Sequence, residues 1–259
     1  SQEELSQVVD VQLTGVVTYR AGNRLFMEDT TGAVELISGS FPPDLIPGHR
    51  IEARGNAYLQ DGYPAVRVSE IKQLGDSILP TPRLRSIEQL VSSPNDHGNR
   101  VEVSGYVGAA EETNGEQWLQ LGGEFERINI ILSRGFEGSP PPHGTLINAT
   151  GIAEFQAGSK DPVRLLVDNQ SGLDVVELPP RNPFDVPTKS IASLKSLHYL
   201  PPVPKSCRLA GTVTWSHPEH PYFYVQDATG GLLVINPTDT TPAHGQSIEI
   251  VGRPTIGDQ

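Results

Sequence analysis

The chain has 259 residues and a formal net charge of −12, from 19 Lys and Arg against 31 Asp and Glu. Its 26 Gly and 23 Pro exclude long helices, and no apolar run approaches the ~20 residues needed to cross a bilayer. The single cysteine, Cys207, excludes an internal disulfide and a multi-thiolate metal site. Because nucleic-acid binding depends on Lys and Arg neutralising phosphates, the acidic balance predicts that nucleic acid is not a partner.

Three segments begin with the same pattern, in which apolar and polar residues alternate up to a glycine: Gly15, Gly105 and Gly211. Alternation with period two predicts a half-buried strand, and the glycine predicts a bulge or a tight bend in it. Each segment later reaches a second strand that begins and ends with glycine, and the two glycines lie seven residues apart every time. These pairs are Gly48 and Gly55, Gly144 and Gly151, and Gly245 and Gly252. The agreement predicts three copies of one small β unit.

A hairpin is predicted between these strands. The first and third repeats share the motif Asp-x-Thr-Gly, at 29–32 and 227–230. Asp can accept hydrogen bonds from the backbone of the next residues, and Gly tolerates a tight reversal. We therefore interpret Asp29 and Asp227 as turn residues rather than as ligands or catalysts.

Short helices are predicted in the two connectors, at 84–92 and 188–197. Each connector begins at a proline and continues with apolar residues at helical spacing, Leu84, Ile87, Leu90 and Val91 in the first and Ile191, Leu194 and Leu197 in the second. An apolar face of this kind needs a partner, and we expect an adjacent barrel to supply it.

The strand order predicts an all-β protein of three tandem five-stranded barrels of the OB (oligonucleotide/oligosaccharide-binding) type. The expected boundaries are barrel 1 at 5–78, a linker with a short helix at 79–97, barrel 2 at 98–178, a second such linker at 179–204, and an incomplete barrel 3 at 205–259.

The combined pattern of strand glycines, Asp-x-Thr-Gly and Pro-Gly-x-x-Ile-Glu-x-x-Gly resembles the tandem OB-like repeats in the extracytoplasmic part of large bacterial sensor histidine kinases. The resemblance covers most of the chain, and its motifs are structural positions. It implies a non-catalytic ligand-sensing or spacer region of a membrane-anchored signalling protein. It also implies a periplasmic or extracellular location, with membrane contact only through segments outside these residues.

No catalytic constellation is recognisable, so we expect neither enzymatic activity nor a cofactor in this chain. Cys207 lies on a predicted strand and is interpreted as an inert buried thiol. One local cluster, His217, Glu219 and His220, contains residue types that ligate first-row metals, although a proline-stiffened polar loop explains it as well. We expect no metal site.

The outward side of strands two and three binds ligands in OB-folds. On this basis the candidate ligand-binding residues are Phe26, Trp118, Tyr222 and Tyr224. Trp215 is a further candidate, because it falls in the first loop of the third repeat, which OB-folds often use for ligands. Aromatic rings there would stack on a sugar or a base, or they would be buried between neighbouring units.

Three functional hypotheses follow from these features. The first is the sensor or spacer array, whose partner would be a small ligand, a glycan or a protein. The second is an array of OB-folds that binds single-stranded nucleic acid. The third is a carbohydrate- or partner-binding accessory module of a secreted protein.

Overall fold

The computed structural model describes residues 9–113, 116–123, 126–133, 136, 139–156, 158–159, 162–195, 206–235 and 241–254. The chain divides into two compact units, Ser1–Leu178 and Pro179–Gln259.

Barrel 1 is a closed five-stranded barrel in unit 1, with strand order β1-β2-β3-β5-β4. Its strands are β1 (Val9–Ala21), β2 (Arg24–Glu28), β3 (Ala33–Ile37), β4 (His49–Gln60) and β5 (Tyr63–Asp76). All neighbouring pairs are antiparallel except β3 and β5, which are parallel. This order is the Greek key of the OB-fold, so the predicted fold of the first repeat is confirmed.

Barrel 2, the second half of unit 1, is also a closed ring of five strands, because β10 pairs with both β11 and β7. The ring is formed by β7 (Arg100–Thr113), β8 (Glu116–Gly122), β9 (Arg127–Leu132), β10 (Leu146–Phe155) and β11 (Val163–Val167). Two short strands extend it at the edges: β6 (Arg83–Arg85) lies parallel to β7, and β12 (Leu173–Glu177) lies antiparallel to β10.

Helix α1 (Ile87–Ser92) begins three residues later than predicted. Residues 83–85 form β6 instead, because their backbone pairs with β7. A capping box fixes the helix start: the Ser86 hydroxyl accepts from the Gln89 backbone N–H, and the Gln89 side chain accepts from the Ser86 N–H. Ile87 and Leu90 are buried in the core of barrel 2, so the helix belongs to the barrel that follows it.

Unit 2 contains an antiparallel sheet of four strands within the described residues, in the order β15-β14-β13-β16. The strands are β13 (Cys207–Ser216), β14 (Tyr222–Asp227), β15 (Gly230–Ile235) and β16 (Ser247–Gly252). A third closed barrel is therefore not confirmed. Helix α2 (Ile191–Lys195) begins three residues later than the predicted 188, and Thr188 instead forms an isolated parallel β-bridge with Arg208. The end of the predicted helix, 196–197, lies outside the described residues. Ile191 is fully buried against Leu209, Val213 and Phe223, so α2 also packs into the sheet that follows it.

The strand glycines have a common physical cause in all three repeats. A Cβ atom at Gly15, Gly105 or Gly211 would lie 2.9, 2.8 or 2.7 Å from a backbone oxygen of the next strand, that of Glu28, Gly122 or Gln226. Glycine is therefore required where the two strands approach each other closely. This agrees with the predicted tight bend and not with the predicted bulge. The bulge in β1 lies further on, between Val17 and Tyr19.

The two Asp-x-Thr-Gly motifs form turns, as predicted. The Asp29 carboxylate accepts from the N–H groups of Thr31 and Gly32 at 2.7 and 3.1 Å. Asp227 does the same for Thr229 and Gly230, at 2.6 and 3.0 Å. Its second oxygen accepts from the N–H of Ile191 at 2.9 Å, so this turn also caps helix α2. The Thr229 hydroxyl, which donates to the same carboxylate at 2.6 Å, is the main cause that lowers the pKa of Asp227 to about 2, and these backbone hydrogen bonds add to it.

Candidate functional site

The outer faces of barrels 1 and 2 are packed against each other. Tyr19 and Phe26 of barrel 1 form one buried cluster with the aliphatic side chains Ile131, Ile152 and Leu166 of barrel 2. Phe26 has no exposed surface, so it cannot stack on a ligand as the sequence suggested. Trp118 is half-buried against the same cluster, so part of its ring is already covered by protein.

A network of charged side chains crosses the same interface. Arg24 on β2 donates to Glu35 on β3 and, at 2.5 Å, to Glu154 on β10. Arg164 on β11 donates to the other oxygen of Glu154 at 2.9 Å. Burial opposes the ionisation of Glu154, but the two arginines outweigh it and hold the pKa of this carboxyl below its usual value. The network fixes which strands of the two barrels face each other.

His97 completes the contact between the two barrels. Its ring stacks on that of Tyr63, from β5, with the centroids 3.9 Å apart and the planes 11° apart. Its Nδ1 accepts from the N–H of Phe155 at 3.1 Å, which places the proton of the neutral ring on Nε2. Barrel 1 and barrel 2 thus use their outer faces to hold each other.

In unit 2 the corresponding face is open and aromatic. A bulge between Val213 and Trp215 sets Trp215 directly opposite Tyr224, just as the bulge in β1 sets Tyr19 opposite Phe26. Trp215 and Tyr224 are 45% and 43% exposed, and their ring centroids lie 6.0 Å apart. Since Phe223 and Val225 fill the core, alternation along β14 sends Tyr222 and Tyr224 outward.

The aromatic cluster extends into the loop after β13. The His217 ring lies 5.5 Å from Trp215 and 4.9 Å from Tyr222, and the His220 ring lies 4.3 Å from His217. On the neighbouring strand β15, Leu233 and Ile235 are exposed beside Tyr224 and Tyr222. We call the set Trp215, His217, His220, Tyr222 and Tyr224 the aromatic face. All of these residues are among the candidates predicted from the sequence. Leu233 and Ile235 are not, although the alternation along β15 marks them as outward-facing.

Two backbone N–H groups fix the orientation of the His217 ring in the aromatic face. His217 Nδ1 accepts from the N–H groups of Glu219 and His220, both at 3.0 Å. That lone pair is therefore engaged and cannot ligate a metal at the same time. Among the described residues, no three His, Cys, Asp or Glu side chains lie close enough together to hold a metal ion.

A shallow groove of about 790 Å³ lies on the outer face of β14, β13 and β16. Its floor includes Thr212, Thr214, Gln226, Ser247 and Glu249. Gln226 is two residues beyond Tyr224 on the same side of β14, so the groove continues the aromatic face. Sequence reasoning missed this groove because it depends on the pairing register of three strands.

The charge of the chain is divided unequally between the units. Residues 1–178 contain 13 Lys or Arg and 25 Asp or Glu, whereas residues 179–259 contain six of each. The net charge of −12 therefore resides in unit 1, and the unit with the aromatic face is formally neutral.

Two further predicted features can be placed. Cys207 is buried on β13, and burial raises the pKa of its thiol, which disfavours the reactive thiolate. No helix within the described ranges is long and apolar enough to span a membrane.

No protein-family model matches the sequence, and no curated protein matches it either. Solved structures match only distantly. Asparaginyl-tRNA synthetase from Pyrococcus horikoshii gives a TM-score of 0.32 at 12% identity, over 39% of this chain and 24% of that chain. The HINb domain of p204 gives 0.34 at 13% identity, over 62% and 94%. A murine DNA-binding protein bound to double-stranded DNA gives 0.34 at 16% identity, over 66% and 98%.

The prediction that nucleic acid is not a partner is wrong. Domains in complex with DNA are among the matched structures. The acidic excess behind the prediction also lies in unit 1, whereas the open face belongs to the formally neutral unit 2. The resemblance to sensor kinases, the extracytoplasmic location and the lack of enzymatic activity stay predictions.

Proposed function

We propose that this chain is a non-catalytic binding protein whose unit 2 holds single-stranded nucleic acid by stacking bases on the aromatic face. The observation that carries the proposal is the exposed Trp215–Tyr224 pair. The same pair of positions in barrel 1, Tyr19 and Phe26, is buried under barrel 2. In unit 2, Tyr224 lies on β14, the second strand of the repeat, and OB-folds bind oligonucleotides on the face of their second and third strands.

Stacking supplies most of the affinity in this proposal. Each base stacked on an aromatic ring contributes about 1–3 kcal/mol and does so with little dependence on sequence. A formally neutral unit adds little phosphate attraction, so binding depends only moderately on salt. With six basic residues in unit 2, the slope of log K against log salt is no steeper than about −4, since each phosphate neutralised on a single strand contributes about 0.7.

Intrinsic fluorescence gives a direct test. The chain has two tryptophans, so Trp118→Phe leaves Trp215 as the only tryptophan reporter. Titration with single-stranded oligonucleotides of about 12 nucleotides should quench Trp215 and saturate. Tyr224→Ala in this background should weaken binding about tenfold or more, because one stacked base is lost. Tyr58→Ala, on β4 of unit 1, is the matched control and should bind like the parent. Absence of saturable quenching would refute the proposal.

A neutral oligosaccharide is the second candidate ligand. The neutral charge of unit 2 and the hydroxyl and amide side chains in the groove favour it, and OB-folds bind oligosaccharides on the same face. The same single-tryptophan protein distinguishes the two. Quenching by soluble glycans but not by oligonucleotides would establish the second candidate in place of the first.

A further inference from the structure

Beside the aromatic face, three polar side chains form a row across the sheet. Thr212 on β13 lies directly opposite Gln226 on β14 and opposite Ser247 on β16. All three side chains are exposed. The residue after Thr212 on β13, Val213, is buried and points into the core, so Thr212 and the two residues opposite it point outward. We call Gln226, Thr212 and Ser247 the polar row.

The polar row has hydrogen-bonding capacity that the protein does not use. Within the described part of the chain, none of these three side chains makes a hydrogen bond to another protein group, whereas the nearby Thr214 hydroxyl donates to the Tyr224 carbonyl oxygen. An amide and two hydroxyls can each donate and accept. No Lys or Arg lines this groove, so the row is suited to uncharged hydroxyl groups rather than to phosphates.

The spacing relates the row to the aromatic face. Tyr224 and Gln226 are two residues apart on one strand and on the same side of it, which is about 7 Å. That distance is close to the separation of neighbouring nucleotides in an extended strand. A base on Trp215 and Tyr224 would therefore bring a neighbouring sugar over the polar row.

We infer that the polar row reads the ribose 2′-hydroxyl, so that the single strand bound by unit 2 is RNA rather than DNA. This inference rests on the proposed function and adds the class of nucleic acid. The 2′-hydroxyl both donates and accepts, and it is the group that distinguishes RNA from DNA at a given site. A row of groups that also donate and accept can satisfy it from the sheet surface.

The test compares three oligomers of one sequence on the full chain carrying Trp118→Phe: ribo-, deoxyribo- and 2′-O-methyl-ribo-oligonucleotides. The ribo-oligomer should bind about tenfold more tightly than the other two. The 2′-O-methyl oligomer keeps the ribose-like sugar pucker but cannot donate from the 2′ position. It separates hydrogen bonding from sugar shape.

Two variants locate the preference. Thr212→Val removes a hydroxyl without changing the shape of the side chain, and Gln226→Ala removes the amide. Each should reduce the ratio of RNA to DNA affinity about threefold or more. Gln73→Ala, at an exposed position of β5 in unit 1, is the matched control and should keep the ratio. Circular dichroism verifies that each variant is folded.

The outcomes separate the inference from the proposed function. If RNA and DNA bind equally, and both are lost in Tyr224→Ala, the inference is overturned and the proposed function stands. If the RNA preference persists in both variants, or if the 2′-O-methyl oligomer binds as tightly as RNA, the polar row does not read the hydroxyl. If no oligomer quenches Trp215, the proposed function itself has failed.

Discussion

Arg24 of barrel 1 and Glu154 of barrel 2 lie 130 residues apart in sequence and are joined by a hydrogen bond of 2.5 Å. Glu154 is 4% exposed and accepts from Arg164 as well, so its charge is buried but fully paired. Such a pair is costly to break from one side, because the remaining charges lose their partner. Together with the buried Phe26, it joins barrels 1 and 2 into one unit.

Glu154→Gln should lower the free energy of unfolding of unit 1 by about 1–3 kcal/mol. The amide keeps the shape but no longer balances the two arginines, and hydrogen bonds to charged groups contribute about this much. Urea denaturation followed by circular dichroism measures the change. Glu70→Gln is the control, since Glu70 forms only an exposed 3.5 Å ion pair with Arg54 and its loss should cost less than about 1 kcal/mol. Equal effects of the two variants would contradict the role given to the network.

The stability of unit 1 should fall as the pH drops below about 6.5. Burial is the main cause that lowers the pKa of His97 from 6.5; Arg24 adds to the effect and Glu154 opposes it. The unfolded chain therefore binds a proton more readily than the folded protein does, and stability is lost as the pH falls through this window. Protonation at Nδ1 also removes the acceptor for the Phe155 N–H.

His97→Asn tests this dependence. It removes the titrating ring, so the difference in unfolding free energy between pH 7.5 and 5.5 should shrink. His143→Asn, at an exposed histidine of the same unit, is the matched control. If His97→Asn retains the full dependence, another group is responsible.

Gly55→Ala should destabilise barrel 1 by about 1–3 kcal/mol or more, because a Cβ there would lie 2.2 Å from the Arg67 carbonyl oxygen. Two backbones would have to separate, and no side chain can yield instead. Thermal unfolding of Gly55→Ala and Gly39→Ala makes the comparison, since a Cβ at Gly39 meets no atom within 4 Å. Gly39→Ala should change stability by less than about 0.5 kcal/mol. A tolerated Gly55→Ala would mean that the strand crossing can relax.

Affinity for oligonucleotides should rise as the pH falls through the titration of His217 in the aromatic face. Partial desolvation and the neighbouring His220 lower the pKa of His217, so its contribution appears below its ordinary value of 6.5. Protonation adds positive charge next to Trp215 and Tyr222, where an anionic strand would lie. Anisotropy titrations from pH 7.5 to 5.5 measure the effect, and His217→Asn should reduce it. Affinity for a neutral glycan should not respond in this way.

The sequence predicted the features that depend on local chemistry. Glycines such as Gly211, the Asp227 turn and the alternation along β14 are local signals, and the structure confirms each of them. The start of α1 was misplaced because residues 83–85 pair with β7, and this pairing is a tertiary contact that overrides their helical spacing.

Whether the outer face of each β unit is buried or exposed could not be predicted in the same way. Phe26 and Tyr224 occupy equivalent positions in equivalent motifs, yet one is buried and the other is open. The difference is caused by Ile131, Ile152 and Leu166, which follow Phe26 by more than 100 residues. No sequence feature near Phe26 or Tyr224 indicates this difference in burial.

The packing of α1 and α2 into the barrel or sheet that follows each helix has a consequence for how the repeats could have arisen. Ile87 fills the core of barrel 2, and Ile191 fills that of unit 2 while Asp227 caps its helix from the hairpin. A gene segment copied from the first strand onward would lack the helix and would leave a gap in the core where Ile87 or Ile191 packs. The segment that can be duplicated without loss therefore starts upstream of the helix, and recombination breakpoints in related genes should fall before the codon for Ser86 and before that for Ser190.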